Sequence, residues 1–107
     1  MDMHELRKVK RIPVDFRARI SARGTHYFVQ IVSLSEGGML ISCMPILCIT
    51  DDVEIQFMIG QDIVSASAEV IYLVPQSMGA KEQLIGLKFS YIDTDSLRSI
   101  QTYVKNY

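Results

Sequence analysis

A cluster of cationic side chains near the start of the chain is one of two segments whose residues could do chemistry. The segment Arg7-Lys8-Val9-Lys10-Arg11 places two arginines four residues apart. Arginine keeps its charge near neutral pH and presents a rigid fork of N–H donors. That fork pairs with phosphate oxygens or with O6 and N7 of guanine, and its flat face stacks on bases. The spacing therefore indicates an anion site, although basic pairs at chain ends are also common as solvated surface.

The second such segment is rich in serine and glycine and runs Ser33-Leu34-Ser35-Glu36-Gly37-Gly38. In an extended strand Ser33 and Ser35 point to the same side, so both hydroxyls can donate to a phosphate or accept from a guanine N–H. Gly37 and Gly38 permit a positive φ and leave room for a ligand to approach the backbone. The alternative is a hairpin turn whose hydroxyls satisfy neighbouring backbone groups.

The charge distribution distinguishes the two ends of the chain. The 107 residues carry a net charge of −1. Residues 1–23 nonetheless hold seven basic and three acidic side chains, whereas the remainder of the chain holds four basic and nine acidic side chains. This asymmetry favours an anion site near the N-terminus, with a solvated basic tail as the alternative.

Apolar side chains alternate with polar ones through most of the chain, as in segment 14–20 and again in segment 53–59. Alternation with period two is typical of strands that bury one face. Turn-forming residues separate the alternating segments, for example Arg23-Gly24 and Gly60-Gln61-Asp62. The pattern predicts strands over 12–22, 25–33, 38–43, 52–59, 62–74 and 84–91.

The C-terminal end of the chain changes to helical spacing. Residues 93–96 offer N-cap candidates, and Leu97, Ile100, Val104 and Tyr107 recur every three or four residues. This spacing predicts a helix over 94–105 whose apolar stripe packs on the sheet; presentation of the stripe to a partner is the alternative.

The six predicted strands would leave reactive edges if the sheet stayed open. We therefore assign the fold to the all-β class, as a six-stranded antiparallel β-barrel with a C-terminal α-helix. Residues 1–11 are expected to form a flexible N-terminal arm, and residues 12–107 are expected to form the barrel domain with its helix.

The composition argues against several classes of function. No apolar run reaches the roughly 20 residues that span a bilayer, and the N-terminus has no signal peptide, which predicts a cytoplasmic protein without membrane insertion. Cys43 and Cys48 lack neighbouring zinc ligands and are expected to be reduced and partly buried. His4 and His26 stand in no nucleophile–base arrangement, and the acidic segment Asp51-Asp52-Val53-Glu54 is expected to be solvated. No catalytic site, metal site or cofactor is therefore predicted.

Together, the two segments and the strand between them resemble the PilZ domain family. Arg7 and Arg11 are followed by an Ile-Pro strand start. About twenty residues later, the segment 33–38 is similar to the family's motif of Asp or Asn, any residue, Ser, two residues and Gly. Ile85-Gly86-Leu87-Lys88-Phe89 is similar to the family's last strand. The likeness covers roughly residues 6 to 105.

The resemblance implies a barrel that binds cyclic di-GMP on its outer surface. Ser33 stands where the family has Asp or Asn, and its shorter side chain is expected to cost about 1–3 kcal/mol of binding free energy. Leu6 occupies a position where arginine would favour a stacked pair of ligands, so it favours a single bound molecule. The resemblance implies these ligand contacts, among which Lys8 adds charge: Arg7, Lys8, Arg11, Ser33, Ser35, Gly37 and Gly38.

These expectations describe a bacterial receptor rather than an enzyme. Ligand binding would close residues 1–11 over the barrel and present a new surface to an unidentified protein partner, with the chain itself a monomer or weak homodimer. The alternative is a PilZ-like protein-interaction scaffold that no longer binds the nucleotide, which Ser33 favours. A barrel for single-stranded nucleic acid is a further alternative. Proteins of that class carry basic charge along a groove with aromatic stacking surfaces. In this chain the basic charge is confined to one end and tryptophan is absent, so no DNA or RNA partner is expected.

Overall fold

The computed structural model describes residues 10–44, 46–75, 79 and 81–107. Over these residues the chain forms six strands, as the alternation predicts, and one helix, as the helical spacing predicts. β2 runs two residues further than predicted, to Ser35, and β6 extends to Ile92. The elements are β1 (Ile12–Ala22), β2 (Thr25–Ser35), β3 (Gly38–Cys43), β4 (Asp52–Ile59), β5 (Asp62–Leu73), β6 (Gln83–Ile92) and α1 (Thr94–Lys105).

The strands close into a barrel in the order β1-β2-β3-β6-β5-β4. β1 pairs antiparallel with both β2 and β4, so none of the described strands is left with an open edge. β3 pairs with β6, which places the turn between β2 and β3 beside the backbone of β6. The predicted closed barrel is confirmed, and closure satisfies the backbone groups that an open sheet would expose.

One face of each strand forms the core of the barrel. In β4, for example, Val53, Ile55 and Phe57 are buried while Glu54 and Gln56 are exposed. Because the interior is apolar, we expect any ligand-binding residues to lie on the outer surface of the barrel or in its turns. The largest fully buried side chains are all aliphatic: Ile12, Ile20, Ile31, Leu34, Ile41, Ile55, Ile85, Ile100, Val53, Val64 and Val70.

The helix begins at a capped N-terminus that is also bonded to the barrel. The Asp93 carboxylate accepts from the backbone N–H of Ser96 at 3.1 Å. Hydrogen bonding by the Ser96 side chain, and then by that N–H, lowers the pKa of Asp93. The Ser96 side chain is buried, and its Oγ accepts from the N–H of Ser65 on β5 at 3.0 Å. The cap therefore fixes both the start of α1 and its position on the sheet.

Apolar packing holds the rest of α1 against the barrel. Ile100 and Val104 are buried, and the ring of Tyr103 lies 5.4 Å from the ring of Phe16 on β1. Packing of the stripe on the barrel is therefore the arrangement that occurs. The prediction was wrong for Tyr107, which follows the end of the helix and is exposed.

Candidate ligand-binding groove

The turn between β2 and β3 is held by its own serine. Ser35 pairs with Gly38, the first residue of β3. Its buried hydroxyl donates to the Gly38 carbonyl at 3.3 Å and accepts from the Gly37 N–H at 3.3 Å. The Gly37 carbonyl accepts from the N–H of Phe89 on β6 at 3.0 Å. Ser35 thus has the turn-stabilising role that the sequence left as an alternative, and its contact with a ligand stays a prediction.

Gly38 is required because two backbones approach each other closely. A Cβ atom at this position would lie 3.1 Å from the carbonyl carbon of Leu87 and 3.2 Å from Cα of Lys88, and closer still to the Leu87 oxygen. Among the described residues, the glycines with a positive φ are in other turns: Gly24, Gly60 and Gly79. Gly37 and Gly38 thus do not use the positive φ that glycine permits, and the constraint at Gly38 is steric.

Ser33 lies on β2 two residue pairs back from the Ser35–Gly38 pair that closes the turn. Because Leu34 points into the core, strand alternation turns Ser33 and Ser35 away from it. Ser33 pairs with Pro13 of β1 and with Leu40 of β3. Its Oγ is buried and has no hydrogen-bond partner among the described residues. A polar atom in this state has an unused capacity for one donor and two acceptor contacts.

A groove of about 190 Å³ crosses the outer surface of the barrel over β3 and β6. Its lining includes Ser35, Gly37 and Gly38 from the turn, together with Arg11. Arg11 comes to the turn because the next residue, Ile12, starts β1 opposite the end of β2. The fold thus brings four of the predicted site residues together.

The remaining predicted site residues do not contribute to the described lining. Ser33 is absent from the part of the groove wall that the structure describes. Arg7 and Lys8 lie outside the described residues. The proposed contacts of these three residues stay predictions.

The groove also contains residues that the sequence analysis missed, above all Tyr72 of β5 and Gly86 of β6. Alternation from Val70 would turn Tyr72 into the core. The register between β5 and β6 shifts between Val70 and Tyr72, however, so Ile71 is an extra residue that forms a bulge. Tyr72 consequently faces outward. A bulge depends on how two strands pair, so a period-two pattern in one strand does not reveal it.

The charged side chains in the described lining are Arg11 and Lys88, both cationic. Lys88 lies between Gly38 on β3 and Glu69 on β5, and Glu69 is not part of that lining. The field in the groove therefore favours anions. Lys88 lies in the segment that resembles the family's last strand, but nothing in the sequence marked it as a neighbour of the turn.

The other described arginines of the N-terminal region lie away from this groove. Arg17 and Arg19 are exposed on β1 and are not in its described lining. Arg23 forms an ion pair with Asp51 at 2.7 Å, beyond the far end of β1. The basic front of the sequence is therefore not one cluster in space, and the prediction of an anion site rests on Arg11 among these residues.

Outside the groove, both cysteines are free, and they differ in exposure. Cys48 is exposed, whereas burial and then the charge of Glu82 raise the pKa of Cys43 to about 11. The described residues contain no group of three potential metal-ligating side chains. In the same part of the chain, no helix is long and apolar enough to cross a bilayer.

Comparison with known proteins identifies one matching family and several solved structures with a similar fold. The family model described as the PilZ domain matches residues 5–106. No curated protein sequence matches the chain. Among solved structures it is similar to the Bacillus subtilis inhibitor of motility MotI/DgrA, with 11% identity and a TM-score of 0.79. It is also similar to the PilZ domain of Escherichia coli YcgR with c-di-GMP, with 15% identity and a TM-score of 0.73. The Borreliella burgdorferi protein PlzA in complex with c-di-GMP gives 22% identity and a TM-score of 0.61.

The extent of these alignments differs between the partners. They cover 92%, 92% and 97% of this chain, and 49% of the MotI chain, 88% of the YcgR domain and 38% of PlzA. The chain thus spans about half of the MotI chain. At these identities the likeness establishes a shared fold.

Proposed function

Because the chain belongs to the PilZ domain family, we propose that it is a receptor for cyclic di-GMP that changes conformation on binding and signals to a partner protein. The groove carries this proposal. Arg11 comes from the first predicted motif and the Ser35–Gly38 turn from the second, and both line the same groove. Two of the structural neighbours, the YcgR domain and PlzA, are described with c-di-GMP bound.

The charges in the groove suit a ligand with two phosphates. The Arg11 guanidinium can pair bidentately with a phosphate or with O6 and N7 of guanine, whereas Lys88 acts as a point charge. Gly38 has no side chain to obstruct the approach of a ligand to the turn. We assign a second guanine or phosphate contact to Arg7 and additional positive charge to Lys8.

The serines contribute in two different ways. The Ser35 proton is used by the Gly38 carbonyl and one lone pair is used by the Gly37 N–H, which leaves one lone pair on its oxygen. Ser35 can therefore accept from a guanine N–H, but it no longer donates to a phosphate. Ser33 keeps its hydroxyl unpaired among the described residues, and we assign it a weaker guanine contact than a carboxylate would make.

The conformational change follows from contacts on both sides of the ligand. A ligand held by Arg7 and Arg11 as well as by the turn favours states in which residues 1–11 lie against the barrel. Shifting a two-state equilibrium from 1:99 to 99:1 requires a preference of about 10⁴-fold. Two or three charge-assisted hydrogen bonds of about 1.5–3 kcal/mol each are of that size.

We propose binding rather than catalysis because the described lining of the groove holds no carboxylate, imidazole or thiol. Groups of these kinds supply most general bases and nucleophiles. A receptor of this type acts where the messenger is, in the bacterial cytoplasm, and passes its signal to a protein partner.

A protein-interaction scaffold that binds no nucleotide is the second candidate. Ser33 is the observation in its favour: it replaces the family's Asp or Asn, and it is not in the described lining of the groove. Calorimetric titration of the folded protein with cyclic di-GMP separates the two functions. The absence of heat at high micromolar ligand would select the scaffold.

The assignment of the site is tested with two arginine variants. Replacing Arg11 with alanine is expected to weaken binding by about 10-fold to 100-fold, since it removes charge-assisted hydrogen bonds. Arg17→Ala is the matched control because Arg17 is also an exposed arginine but is not in the described lining. Equal affinities of Arg11→Ala and the parent would contradict the assignment.

A further inference from the structure

The ring of Tyr72 lies flat on Gly86. The two residues pair across β5 and β6. A Cβ atom at Gly86 would lie 2.7 Å from Cδ2 of the tyrosine ring, and nearer still to Cε2 and Cζ. A point this close to three consecutive ring atoms lies over the face of the ring, since an approach in the ring plane brings at most two atoms so near. Tyr72 therefore stacks one ring face on the backbone of Gly86.

The second face of the ring is open to the groove. Tyr72 is 39% exposed, although strand alternation would bury it. The bulge at Ile71 places the ring on the outer surface, in the groove that also contains Arg11 and the Ser35–Gly38 turn. A large flat apolar surface thus lies beside the cationic side chains of an anion-binding groove.

We propose that Tyr72 is the platform on which one purine base of a cyclic dinucleotide stacks, and that Gly86 positions the ring for this contact. The inference rests on the proposed function and adds a base contact to it. Aromatic rings stack on every base because each base has a π-face. With the base stacked on Tyr72, the phosphates bind the charged side chains of the same groove, Arg11 and Lys88.

Gly86 makes this geometry possible because any side chain there would lift the ring from the sheet. A ring over a glycine also has a structural use, since it shields backbone that a strand glycine leaves bare. The two uses differ in the face that they need. Shielding of the Gly86 backbone uses only the ring face that lies on the sheet. Stacking of a base uses the opposite face, so only stacking predicts that the environment of the ring changes when the ligand binds.

Calorimetric titration with cyclic di-GMP tests the platform. Tyr72→Ala is expected to weaken binding by about 5-fold to 150-fold, the range found for removal of one base–aromatic stack. Tyr72→Phe keeps the ring and is expected to bind within about 3-fold of the parent, since both rings offer the same stacking face. Tyr91→Ala is the matched control because Tyr91 is 69% exposed and is not in the described lining of the groove.

The positioning role of Gly86 is tested by a double-mutant cycle. Gly86→Ala is expected to weaken binding, and the double variant Tyr72→Ala/Gly86→Ala is expected to bind as Tyr72→Ala does, because Gly86 acts through the ring. Additive losses would overturn the positioning role. Upfield NMR shifts of the Tyr72 ring protons on ligand addition test stacking without any substitution.

The outcomes separate this inference from the function on which it rests. If the parent binds and Tyr72→Ala binds equally well, or if the Tyr72 ring shifts stay unchanged at saturation, the platform is refuted and the receptor function stands. If the folded parent does not bind cyclic di-GMP, both proposals fail.

Discussion

Substitution of Gly38 by alanine would test how tightly the β2–β3 turn is fixed to β6. The new Cβ would lie 3.1 Å from the carbonyl carbon of Leu87 and 3.2 Å from Cα of Lys88, where carbon atoms normally stay about 3.5–4.0 Å apart. Because these atoms are backbone, relief requires the start of β3 to move away from β6. The overpacking costs about 1–3 kcal/mol, and the weakened bond from the Phe89 N–H to the Gly37 carbonyl costs about 0.5–1.5 kcal/mol.

The opposing contribution comes from the unfolded chain, where alanine has less conformational freedom than glycine and returns about 0.4–1 kcal/mol. We therefore expect Gly38→Ala to lower the free energy of unfolding by about 0.5–4 kcal/mol. The middle of this range is a large fraction of the roughly 5–15 kcal/mol of a typical domain. Urea unfolding followed by far-UV circular dichroism measures this loss, with an unchanged m-value of about 1–3 kcal/mol per M.

Gly86→Ala is the matched control for this substitution. Its Cβ would meet the ring of Tyr72, and a ring near the surface can swing away where a backbone carbonyl cannot. We expect Gly86→Ala to cost less than about 1 kcal/mol. If Gly38→Ala proved as stable as the parent, or if the two variants cost the same, the steric argument for Gly38 would be refuted.

Three further predictions concern the helix and the cysteines. Ser96→Ala is expected to lower the free energy of unfolding by about 1–3 kcal/mol in urea denaturation, since it leaves the Ser65 N–H without its acceptor. Ser99→Ala is the control, because the hydrogen bond from Ser99 to Asp62 is exposed. It should change the free energy of unfolding by less than about 0.5 kcal/mol. Hydrogen bonding lowers the pKa of Asp93 in the folded state, so the ionised carboxylate stabilises the fold. This stabilisation is complete above the ordinary pKa of 3.8 and is lost as the pH falls through the lowered pKa of the folded state. Asp93→Asn should therefore remove this part of the decrease of the melting temperature in acid. At pH 8, iodoacetamide should label the exposed Cys48 and spare Cys43, whose burial raises its pKa to about 11, as peptide mass spectrometry would show; equal labelling in the folded state would contradict the burial of Cys43.

The sequence predicts most of the fold because each strand shows which face it buries. Alternation in β4 placed Val53, Ile55 and Phe57 in the core, where they lie. Closure of the sheet followed from the number of apolar strands and from the cost of open edges. These features depend on local periodicity and on general rules, so one sequence is enough to predict them.

Features that depend on the relation between strands were not predicted. The steric requirement at Gly38 comes from the distance to β6, and the outward position of Tyr72 comes from a bulge against the same strand. Arg23 counted toward a basic N-terminal cluster, but its ion pair with Asp51 holds it at the other end of β1. Charge along the chain reports composition, whereas a site needs proximity in the folded protein.

The bulge in β5 also has a consequence for how the length of this strand can vary. On either side of Ile71, Val70 pairs with Leu87 and Tyr72 pairs with Gly86. Deletion of Ile71 would therefore leave both pairings in frame and keep each side chain on its present face. A one-residue deletion elsewhere in β5 would exchange the inner and outer faces of the remaining strand. Ile71 is thus a place where β5 can lose a residue without loss of the core.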